Sequence, residues 1–319
     1  MNTKQFHYSM LNSHYNNIND YLKKKYGRKI FKVCVDGNFT CPNRDGTKGL
    51  GGCIFCNNRG SGEHINNSIS ISQQVTCGID KVIKKRHANS FIVYFQNFTA
   101  TYDSIDMLRK KYLEATEDSR VVILSIATRP DCINNAIIDL LKEIQAIRHI
   151  DIWIELGLQT IHSSTAKRIN RCYDTIEFYN AVNLINNAGF DIIVHIMFGL
   201  PNETSHDMLQ TVQAISCLNI QGVKFHCTTV LKETYLEKLY KTNRYSPLNL
   251  IEYIDILTES IKILPPKIVV HRLISDSIGE NILAPIWTSN KLLMLNSIAK
   301  KFEIDNIKQG QEYTRKRVL

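Results

Sequence analysis

The segment Cys41-Pro-Asn-Arg-Asp-Gly-Thr-Lys-Gly-Leu-Gly-Gly-Cys53-Ile-Phe-Cys56 places three cysteines in one short, glycine-rich stretch. Cys53 and Cys56 form a CxxC pair, and Cys41 lies twelve positions upstream of Cys53. Three thiolates can hold a metal centre and leave one coordination position open, as catalytic zinc sites do. Iron–sulfur clusters are usually closed by four cysteines. The stretch therefore indicates a cluster with one exposed iron that awaits a ligand.

The glycines between these cysteines support the same interpretation, because glycine permits the positive φ angles needed to wrap a chain around an inorganic cluster. A zinc site with Cys34 or His64 as fourth ligand is an alternative. Structural zinc sites usually combine two short chelating motifs, however, and this stretch contains one. A thioredoxin-type redox pair is a further alternative, and it leaves Cys41 without a role.

The composition is that of a globular protein, and its net charge favours an anionic partner, with solubility as the alternative explanation of the charge. The 319 residues are 44% hydrophobic, and 39 basic against 30 acidic residues give a net charge of +9. Basic residues concentrate between Leu22 and Lys32 and again between Lys308 and Arg317, which favours nucleic acid as the partner. No secretory signal and no membrane-spanning apolar run is visible, so we expect a cytoplasmic protein with reduced thiols and no membrane partner.

Short β-branched runs alternate with amphipathic stretches along the chain, which predicts a parallel sheet with crossover helices. The predicted strands are Phe31–Val35, Phe91–Phe95, Val121–Ala127, Ile152–Leu158, Ile192–Phe198, Gly222–Phe225 and Ile268–Leu273. The predicted helices lie near Ile105–Ala115, Asn135–Ala146, Ile176–Asn187, Met208–Leu218 and Leu248–Leu264. This α/β order fits a (βα) barrel, complete or partial, or else an open doubly wound sheet.

Polar groups follow each predicted strand, at the edge where parallel α/β folds place their chemistry. In chain order they are Asp36–Asn38, Gln96–Thr101, Thr128–Asp131, Glu155–Thr160, Gly199–Glu203, His226, and His271-Arg272 with Asp276 beyond. We therefore expect these groups to surround one site together with the cysteine loop.

Several strings carry a family resemblance: Cys41-Pro-Asn-Arg, Gly52-Cys-Ile-Phe-Cys56, Tyr94-Phe-Gln-Asn-Phe-Thr99, Ala127-Thr-Arg-Pro-Asp131, Glu155-Leu-Gly-Leu-Gln-Thr160, Ile169-Asn-Arg171, Gly199-Leu-Pro-Asn-Glu203, Lys224-Phe-His226 and Leu283-Ala-Pro-Ile-Trp287. With them the chain resembles radical S-adenosylmethionine (SAM) enzymes. More narrowly, it resembles the YtqA/YhcC (MnmL-type) family, which is related to the radical SAM domain of the Elongator catalytic subunit. One departure is Cys172-Tyr173, where the family pattern has Gly-His.

The resemblance implies an α/β fold with a partial (βα)₆ TIM-type barrel of the radical SAM kind. The barrel would span residues 31–275, between a basic N-terminal extension (1–30) and a helical, basic C-terminal extension (276–319). It implies a [4Fe–4S] cluster on Cys41, Cys53 and Cys56, with SAM on the exposed iron. Cleavage of SAM would give a 5′-deoxyadenosyl radical that removes a hydrogen atom from the substrate, while the protein binds and orients.

The resemblance also implies roles for the strand-end residues. Gln96, Asn97 and Thr99 would meet the methionine amino group of SAM, and Glu155 and Gln159 its ribose or carboxylate. Arg171 would bind the carboxylate through its planar fork, and the stretch Gly199, Pro201 and Glu203 would lie near adenine. The predicted catalytic, substrate-side residues are His226, Arg272 and Tyr102, with His271 and Asp276 nearby.

For the substrate, the resemblance implies the wobble uridine in the anticodon region of tRNA. The implied step converts 5-carboxymethylaminomethyl-uridine to 5-aminomethyl-uridine. The further partners would be a reductase, flavodoxin or ferredoxin as electron donor and a downstream tRNA methyltransferase. Two alternatives stay open: a radical SAM enzyme acting on a non-tRNA substrate such as a tetrapyrrole, and a zinc-binding, RNA-binding protein without catalysis.

Overall fold

The main element of the fold is a parallel sheet that curls into an open half-barrel, seen in a computed structural model that describes residues 11, 13–60, 65–275 and 281–314. In the described chain its strands are β1 (Phe31–Val35), β2 (Phe91–Phe95), β3 (Val121–Thr128), β4 (Asp151–Gln159), β5 (Asp191–Phe198), β6 (Gly222–Cys227) and β8 (Val269–Arg272), whereas β7 (Val230–Leu231) and β9 (Ile282–Ala284) form a separate antiparallel pair. The sheet order β1-β2-β3-β4-β5-β6-β8 leaves β1 and β8 as its edges. The predicted partial barrel is confirmed. Its described sheet has seven strands, so β8 is added to the six strands of a (βα)₆ barrel.

The helices of the described residues are α1 (Ile18–Tyr26), α2 (Ile71–Ile83), α3 (Ile105–Ala115), α4 (Asn135–Arg148), α5 (Ser163–Arg168), α6 (Thr175–Ala188), α7 (Ser205–Ser216), α8 (Tyr235–Lys241), α9 (Leu250–Ile263) and α10 (Lys291–Ile304). All five predicted helices are present. The pattern missed α2, which contains Gly78. A Cβ at that glycine would lie 2.3 Å from Val33 Cγ1, so the glycine lets α2 approach β1 closely.

Alternate residues of the strands face opposite sides of the sheet. The outward residues pack against the helices in one large apolar core. At the amino ends of the strands, the inward residues form a second apolar layer of Ile92, Ile123, Trp153 and Ile193, which Leu22 of α1 covers. Further along the strands the inward positions become polar, so the predicted site residues lie next to this apolar layer.

Helix α1 covers the amino end of the half-barrel. Lys25, in the basic stretch between Leu22 and Lys32, therefore has partners at that end. Lys25 Nζ lies 2.8 Å from Asp151 and 3.4 Å from Asp191, the first residues of β4 and β5. The Tyr26 hydroxyl also donates to Asp151. Lys32 is an exposed residue of β1, and its Nζ lies 4.9 Å from the ring centre of Tyr94. Most of the run therefore lies at the opposite end of the strands from the cysteine loop.

The core is continuous across the predicted boundaries at residues 30/31 and 275/276. Leu11 on one side and Met294, Phe302 and Ile307 on the other belong to the same buried cluster as the strands. His64, Asp276 and the C-terminal run Arg315–Arg317 lie outside the described residues. In the part of the chain that the structure describes, no helix combines the length and apolarity needed to cross a bilayer.

Candidate active site

The cysteine loop follows β1, and its three predicted ligands line one cavity of about 210 Å³. We call it the cysteine cavity; it is lined by Cys41, Cys53 and Cys56 and by residues from the carboxyl ends of β2, β3 and β4. Burial raises the pKa of the Cys53 thiol to about 12 and also raises that of Cys56. Across the described residues, no three His, Cys, Asp or Glu side chains are placed to hold one metal ion. The thiols instead surround a space, as a multi-iron cluster requires.

The segment between α5 and α6 holds the cysteine loop in shape. Asn170 Nδ2 donates to the carbonyl oxygens of Gly52 at 2.8 Å and Leu50 at 3.2 Å. In return, Asn43 Nδ2 donates to the carbonyl oxygen of Asn170 at 2.5 Å. Ile54 N donates to Ile169 O at 3.1 Å. These bonds satisfy loop carbonyls and tie the cysteine loop to the segment between α5 and α6.

A second clamp lies within the loop itself. The Arg44 guanidinium donates to the carbonyl oxygens of Cys56 at 2.9 Å and Asn57 at 2.5 Å. It also lies 5.3 Å from the ring centre of Phe98. This places a cation directly behind the CxxC pair, where it stabilises thiolate charge.

Arg171 lines the cysteine cavity and holds the segment that follows α5. Its guanidinium donates to Leu158 O at 2.8 Å, Thr160 O at 2.7 Å, Tyr173 O at 3.3 and 3.2 Å, and Thr175 Oγ1 at 2.9 Å. A guanidinium has five N–H donors, and these five bonds account for all of them. In this geometry Arg171 has no donor left for a SAM carboxylate, and it fixes the loop that carries the Asn170 clamp.

Tyr173, which in the sequence is noted only as a departure from the family pattern, lines the cysteine cavity. It stands where the family pattern has histidine, with its ring 4.1 Å from the Arg171 guanidinium. Its hydroxyl donates to the carbonyl oxygen of Gly157 on β4. The tyrosine thus presents an aromatic wall to the cavity, whereas the neighbouring Cys172 turns toward Asn170 Oδ1 at 3.2 Å.

Three polar side chains that line the cysteine cavity lack hydrogen-bond partners within the described chain. The unpartnered buried atoms are Thr99 Oγ1, Gln159 Oε1 and His226 Nε2. Because an unpaired buried polar atom costs about 1–3 kcal/mol, such atoms indicate a bound group that completes them. Gln96, on the same wall, lines this cavity as well. The predictions for Gln96, Thr99 and Gln159 are therefore compatible with their positions.

Asn97 is placed differently from its neighbours. Its amide donates to Asp36 Oδ2 at 2.7 Å, it is 2% exposed, and it is not among the residues that line the cysteine cavity. Asn97 thus supports the end of β1 through its amide nitrogen, while its Oδ1 is buried without a hydrogen-bond partner in the described chain.

Glu155 is the centre of a buried network below the cysteine cavity. Its carboxylate accepts from Ser125 Oγ at 2.7 Å, lies 2.6 Å from His195 Nε2 and forms an ion pair with Lys224. Burial alone would raise the pKa of Glu155, but Lys224 and His195 outweigh it and hold the pKa well below the usual value. Glu155 also lines the cysteine cavity, so its carboxylate is held by these three partners at the cavity wall.

The network extends from Glu155 through His195 to His226. Their rings stack with centres 5.0 Å apart. Burial lowers the pKa of His195 to about 4 and that of His226 well below the usual value. Both imidazoles are therefore neutral at physiological pH and can accept or donate a hydrogen bond.

The remaining predicted residues lie apart from the cysteine cavity. The Tyr102 hydroxyl lies 2.8 Å from Thr47 Oγ1, on the outside of the cysteine loop, and lines no cavity described here. His271 packs against Trp153 near the amino ends of the strands, with ring centres 5.1 Å apart. The placement of both residues argues against substrate contact, because each is engaged away from the cavities.

The stretch predicted for adenine lines a different cavity. Gly199 and Glu203 border a space of about 230 Å³ together with the segment that joins α8 to α9. Pro201 O accepts from Arg168 at 3.3 Å. Glu203 Oε1 accepts from Thr160 Oγ1 at 2.5 Å, and burial raises the pKa of this carboxyl. The structure brings these residues together with one another but not with the cysteines.

A larger cavity of about 990 Å³ opens between the edge strands of the half-barrel. We call it the seam cavity; it is lined by β1, α2, β6, β8, β9 and the first residue of α10. It shares the wall residues Phe55, Gly60, Gln96, Gln159, His195, His226 and Arg272 with the cysteine cavity. His226 and Arg272 thus stand between the predicted cofactor site and the open side of the barrel.

The chain matches known proteins over nearly its whole length. The Radical SAM superfamily profile matches residues 41–215, and the Radical_SAM C-terminal domain profile matches residues 220–303. This chain belongs to the radical SAM superfamily. The first profile begins at Cys41, the first of the three cysteines that line the cysteine cavity.

Two relatives and one solved structure are similar to this chain. YtqA of Bacillus subtilis (strain 168) is 36% identical over 316 residues, which cover 99% of this chain and 98% of YtqA. YhcC of Escherichia coli (strain K12) is 33% identical over 270 residues, 85% of this chain and 86% of YhcC. The archaeal Elp3 of Methanocaldococcus infernus has the same fold, with a TM-score of 0.69 at 18% identity. The match covers 88% of this chain and 64% of the Elp3 chain.

Membership of the superfamily makes a [4Fe–4S] cluster and SAM the cofactors, and the site fits both. Cys41, Cys53 and Cys56 would hold the cluster, and Thr99, Gln159 and His226 offer the unpartnered atoms on the cavity wall. When bound, the pair of cofactors supplies the homolytic chemistry that no amino-acid side chain provides. The protein's own contribution is a loop held by hydrogen bonds, a cavity between that loop and the strand ends, and a buried charged network around Glu155.

Proposed function

We propose that this radical SAM enzyme modifies the wobble uridine of tRNA and converts 5-carboxymethylaminomethyl-uridine to 5-aminomethyl-uridine. The observation that carries the proposal is the seam cavity, which adjoins the cysteine cavity through His226 and Arg272. Its volume of about 990 Å³ is at the upper end of the range for small-molecule sites, which leaves room for a nucleoside that carries a substituent. The resemblance to the Elongator catalytic subunit points to the same class of substrate.

The residues of the seam cavity suit a splayed-out base. RNA-binding proteins recognise unpaired bases by stacking them on aromatic side chains and by hydrogen bonds to their edges. Phe55 lines both cavities and offers such a ring beside the cluster loop. His226, with its unpartnered Nε2, offers a hydrogen-bonding group on the shared wall. A base stacked on Phe55 would present its substituent toward the cysteine cavity.

The overall reaction balances without any further oxidant. Removal of the carboxymethyl arm breaks its carbon–nitrogen bond, consumes one water, and releases the arm as a two-carbon aldehyde acid. That change oxidises the substituent by two electrons, and the reductive cleavage of SAM to methionine and 5′-deoxyadenosine takes up the same two. A reductase, flavodoxin or ferredoxin would supply the electron that starts turnover, and a methyltransferase would act on the amine product.

The deciding experiment is nucleoside mass spectrometry of tRNA from cells that lack this protein. We expect 5-carboxymethylaminomethyl-uridine to accumulate and the aminomethyl form to disappear. Complementation with the wild-type gene should restore the pattern, and a Cys53→Ala gene should not. Unchanged wobble uridines would exclude the tRNA substrate, and 5′-deoxyadenosine release should then be assayed with small acceptors such as tetrapyrroles.

A further inference from the structure

Two basic stretches that lie far apart in the sequence meet at the amino ends of β1 and β2. The first, Arg28-Lys29, precedes β1, and the second, Lys84-Lys85-Arg86, lies between α2 and β2. The two strands begin side by side, because Phe31 pairs with Phe91 and Phe31 N donates to Ser90 O at 3.1 Å. All five basic side chains are exposed. We call these five residues the amino-end rim.

The amino-end rim keeps its positive charge within the part of the chain that the structure describes. None of its five side chains forms an ion pair or a hydrogen bond there. Two carboxylates at the same end of the sheet, Asp80 on α2 and Asp118 before β3, both act on Arg120. The N-terminal residues 1–12 contain no Asp or Glu. The charge of the rim is therefore left for a partner molecule.

One face of helix α2 connects the amino-end rim with the seam cavity. The residues of α2 that line the cavity recur every three or four positions, and they are Gln74, Cys77, Gly78, Lys81 and Val82. Residues three and four apart are neighbours on a helix surface. The helical conformation continues to Lys84, which has φ of −58° and ψ of −26°. Lys84 and Lys85 thus follow Lys81 on the face that borders the cavity.

We propose that the amino-end rim is a docking surface for the sugar–phosphate backbone of RNA, and that Lys81 continues this surface into the seam cavity. The inference rests on the proposed function, because it specifies how the RNA that supplies the base is held. Lysine and arginine side chains that neutralise phosphates provide most of the sequence-independent affinity of proteins for nucleic acids. Five exposed cations from two connections form an open surface, which suits a continuous polyanion better than a small anion.

The proposal gives the rim and the cavity different tasks. Phosphate contacts fix the position of a nucleic acid on a protein, but they carry no sequence information. Contacts to the base in the seam cavity would provide the selectivity. Removing charges from the rim should therefore weaken the binding of every tRNA by the same factor, whichever nucleotide stands at the wobble position.

The test measures binding of the anaerobically reconstituted protein to two tRNAs over a range of salt concentrations. One tRNA has uridine at the wobble position, and the other has cytidine. We expect Lys84→Gln combined with Lys85→Gln to weaken binding of both tRNAs at least about tenfold at about 0.1 M salt. The slope of log K against log salt concentration should become shallower by roughly 0.7–0.9 for each lost phosphate contact. Arg28→Gln combined with Lys29→Gln should act in the same way from the other side of the rim.

The matched control is Lys110→Gln combined with Lys142→Gln, which removes two exposed lysines from α3 and α4. This control should keep the affinity and the slope of the wild type, and equal iron and sulfide contents should verify that all variants are folded. Rim variants that bind both tRNAs as the control does would overturn the inference and leave the tRNA proposal standing. A loss confined to the uridine tRNA would also overturn it, because a phosphate contact does not distinguish bases. A wild type that binds neither tRNA would overturn the tRNA proposal and the inference together.

Discussion

Asn170 reaches across 118 residues of sequence to donate its side-chain amide to the carbonyl oxygen of Gly52 at 2.8 Å. Gly52 directly precedes the CxxC pair, so this bond fixes the approach of the chain to Cys53. Asn170 has φ of 55°, a left-handed conformation that asparagine tolerates better than most residues. The string Ile169-Asn-Arg171 thus acts on the cluster loop, because Arg171 holds the segment and Asn170 holds the loop.

The clamp predicts that Asn170→Asp lowers the amount of cluster that the protein retains. The aspartate keeps the shape and tolerates the backbone conformation, but it replaces a donor by a carboxylate that faces the oxygens of Gly52 and Leu50. We expect several-fold less iron and sulfide after anaerobic reconstitution. Asn306→Asp is the control, since Asn306 is exposed and also left-handed, with φ of 48°. Equal iron contents in the two variants would show that the clamp is dispensable.

The buried pair of Glu155 and Lys224 makes a prediction about stability. Each residue is 1% exposed, so Glu155→Gln leaves an ammonium group buried without a counter-charge. We expect this change to lower the free energy of unfolding by about 3–5 kcal/mol, as measured by urea denaturation. Adding Lys224→Met to the same chain should restore a large part of the loss.

The control for that prediction is the surface ion pair of Arg109 and Glu143, in which Arg109 Nε lies 2.9 Å from Glu143 Oε1. Glu143→Gln should leave the urea midpoint nearly unchanged, because an exposed pair is screened by water. If Glu155→Gln proved as mild as Glu143→Gln, the buried network would not carry charge in the native protein.

The sequence was sufficient for the strands and for the position of the cysteine loop, because each depends on a local pattern. A run such as Phe91–Phe95 is β-branched and aromatic throughout, and the spacing of Cys41, Cys53 and Cys56 is visible without a fold. The Glu155–Lys224 pair depends on how β4 and β6 approach across β5, which no local pattern contains. The same holds for Arg171, which offers the same fork to a ligand or to backbone carbonyls until its neighbours are known.

The basic residues between Leu22 and Lys32 are a second case in which the sequence was not sufficient. Their charge is visible in the sequence, but the end of the barrel at which they lie is not. Lys25 is paired with Asp151 and Asp191, which are the first residues of their strands. The cations of the seam cavity come instead from four separate elements, so no run of sequence could reveal them.

Three buried imidazoles predict that stability falls as the pH decreases. Burial lowers the pKa of His195 to about 4 and the pKa values of His226 and His271 well below 6.5. Below pH 6.5 the unfolded chain therefore binds protons that the native chain does not, so acid favours unfolding. Between pH 7.5 and 5.5 the free energy of unfolding should fall by about 1 kcal/mol for each imidazole.

This pH dependence can be checked by urea denaturation across that range. His271→Gln should flatten the slope, because it removes one of the three groups and can keep the contact with Gln221 Oε1, at 2.8 Å from the imidazole. The exposed His87→Gln should leave the slope as it is. A native protein whose stability is constant from pH 7.5 to 5.5 would contradict the neutral, buried state of these side chains.

The nine cysteines allow the ligand set to be tested residue by residue. Ala at Cys41, Cys53 or Cys56 should each abolish the brown colour and the iron and sulfide of the anaerobically reconstituted protein, because a cluster held by three thiolates does not survive the loss of one. Cys34→Ala and Cys77→Ala are the matched controls. Both of these thiols line the seam cavity and not the cysteine cavity, so their variants should keep full cluster content. Zinc without iron in the wild type would instead support the zinc site, and loss of iron in Cys34→Ala would show that Cys34 is a fourth cluster ligand and that no iron is left open.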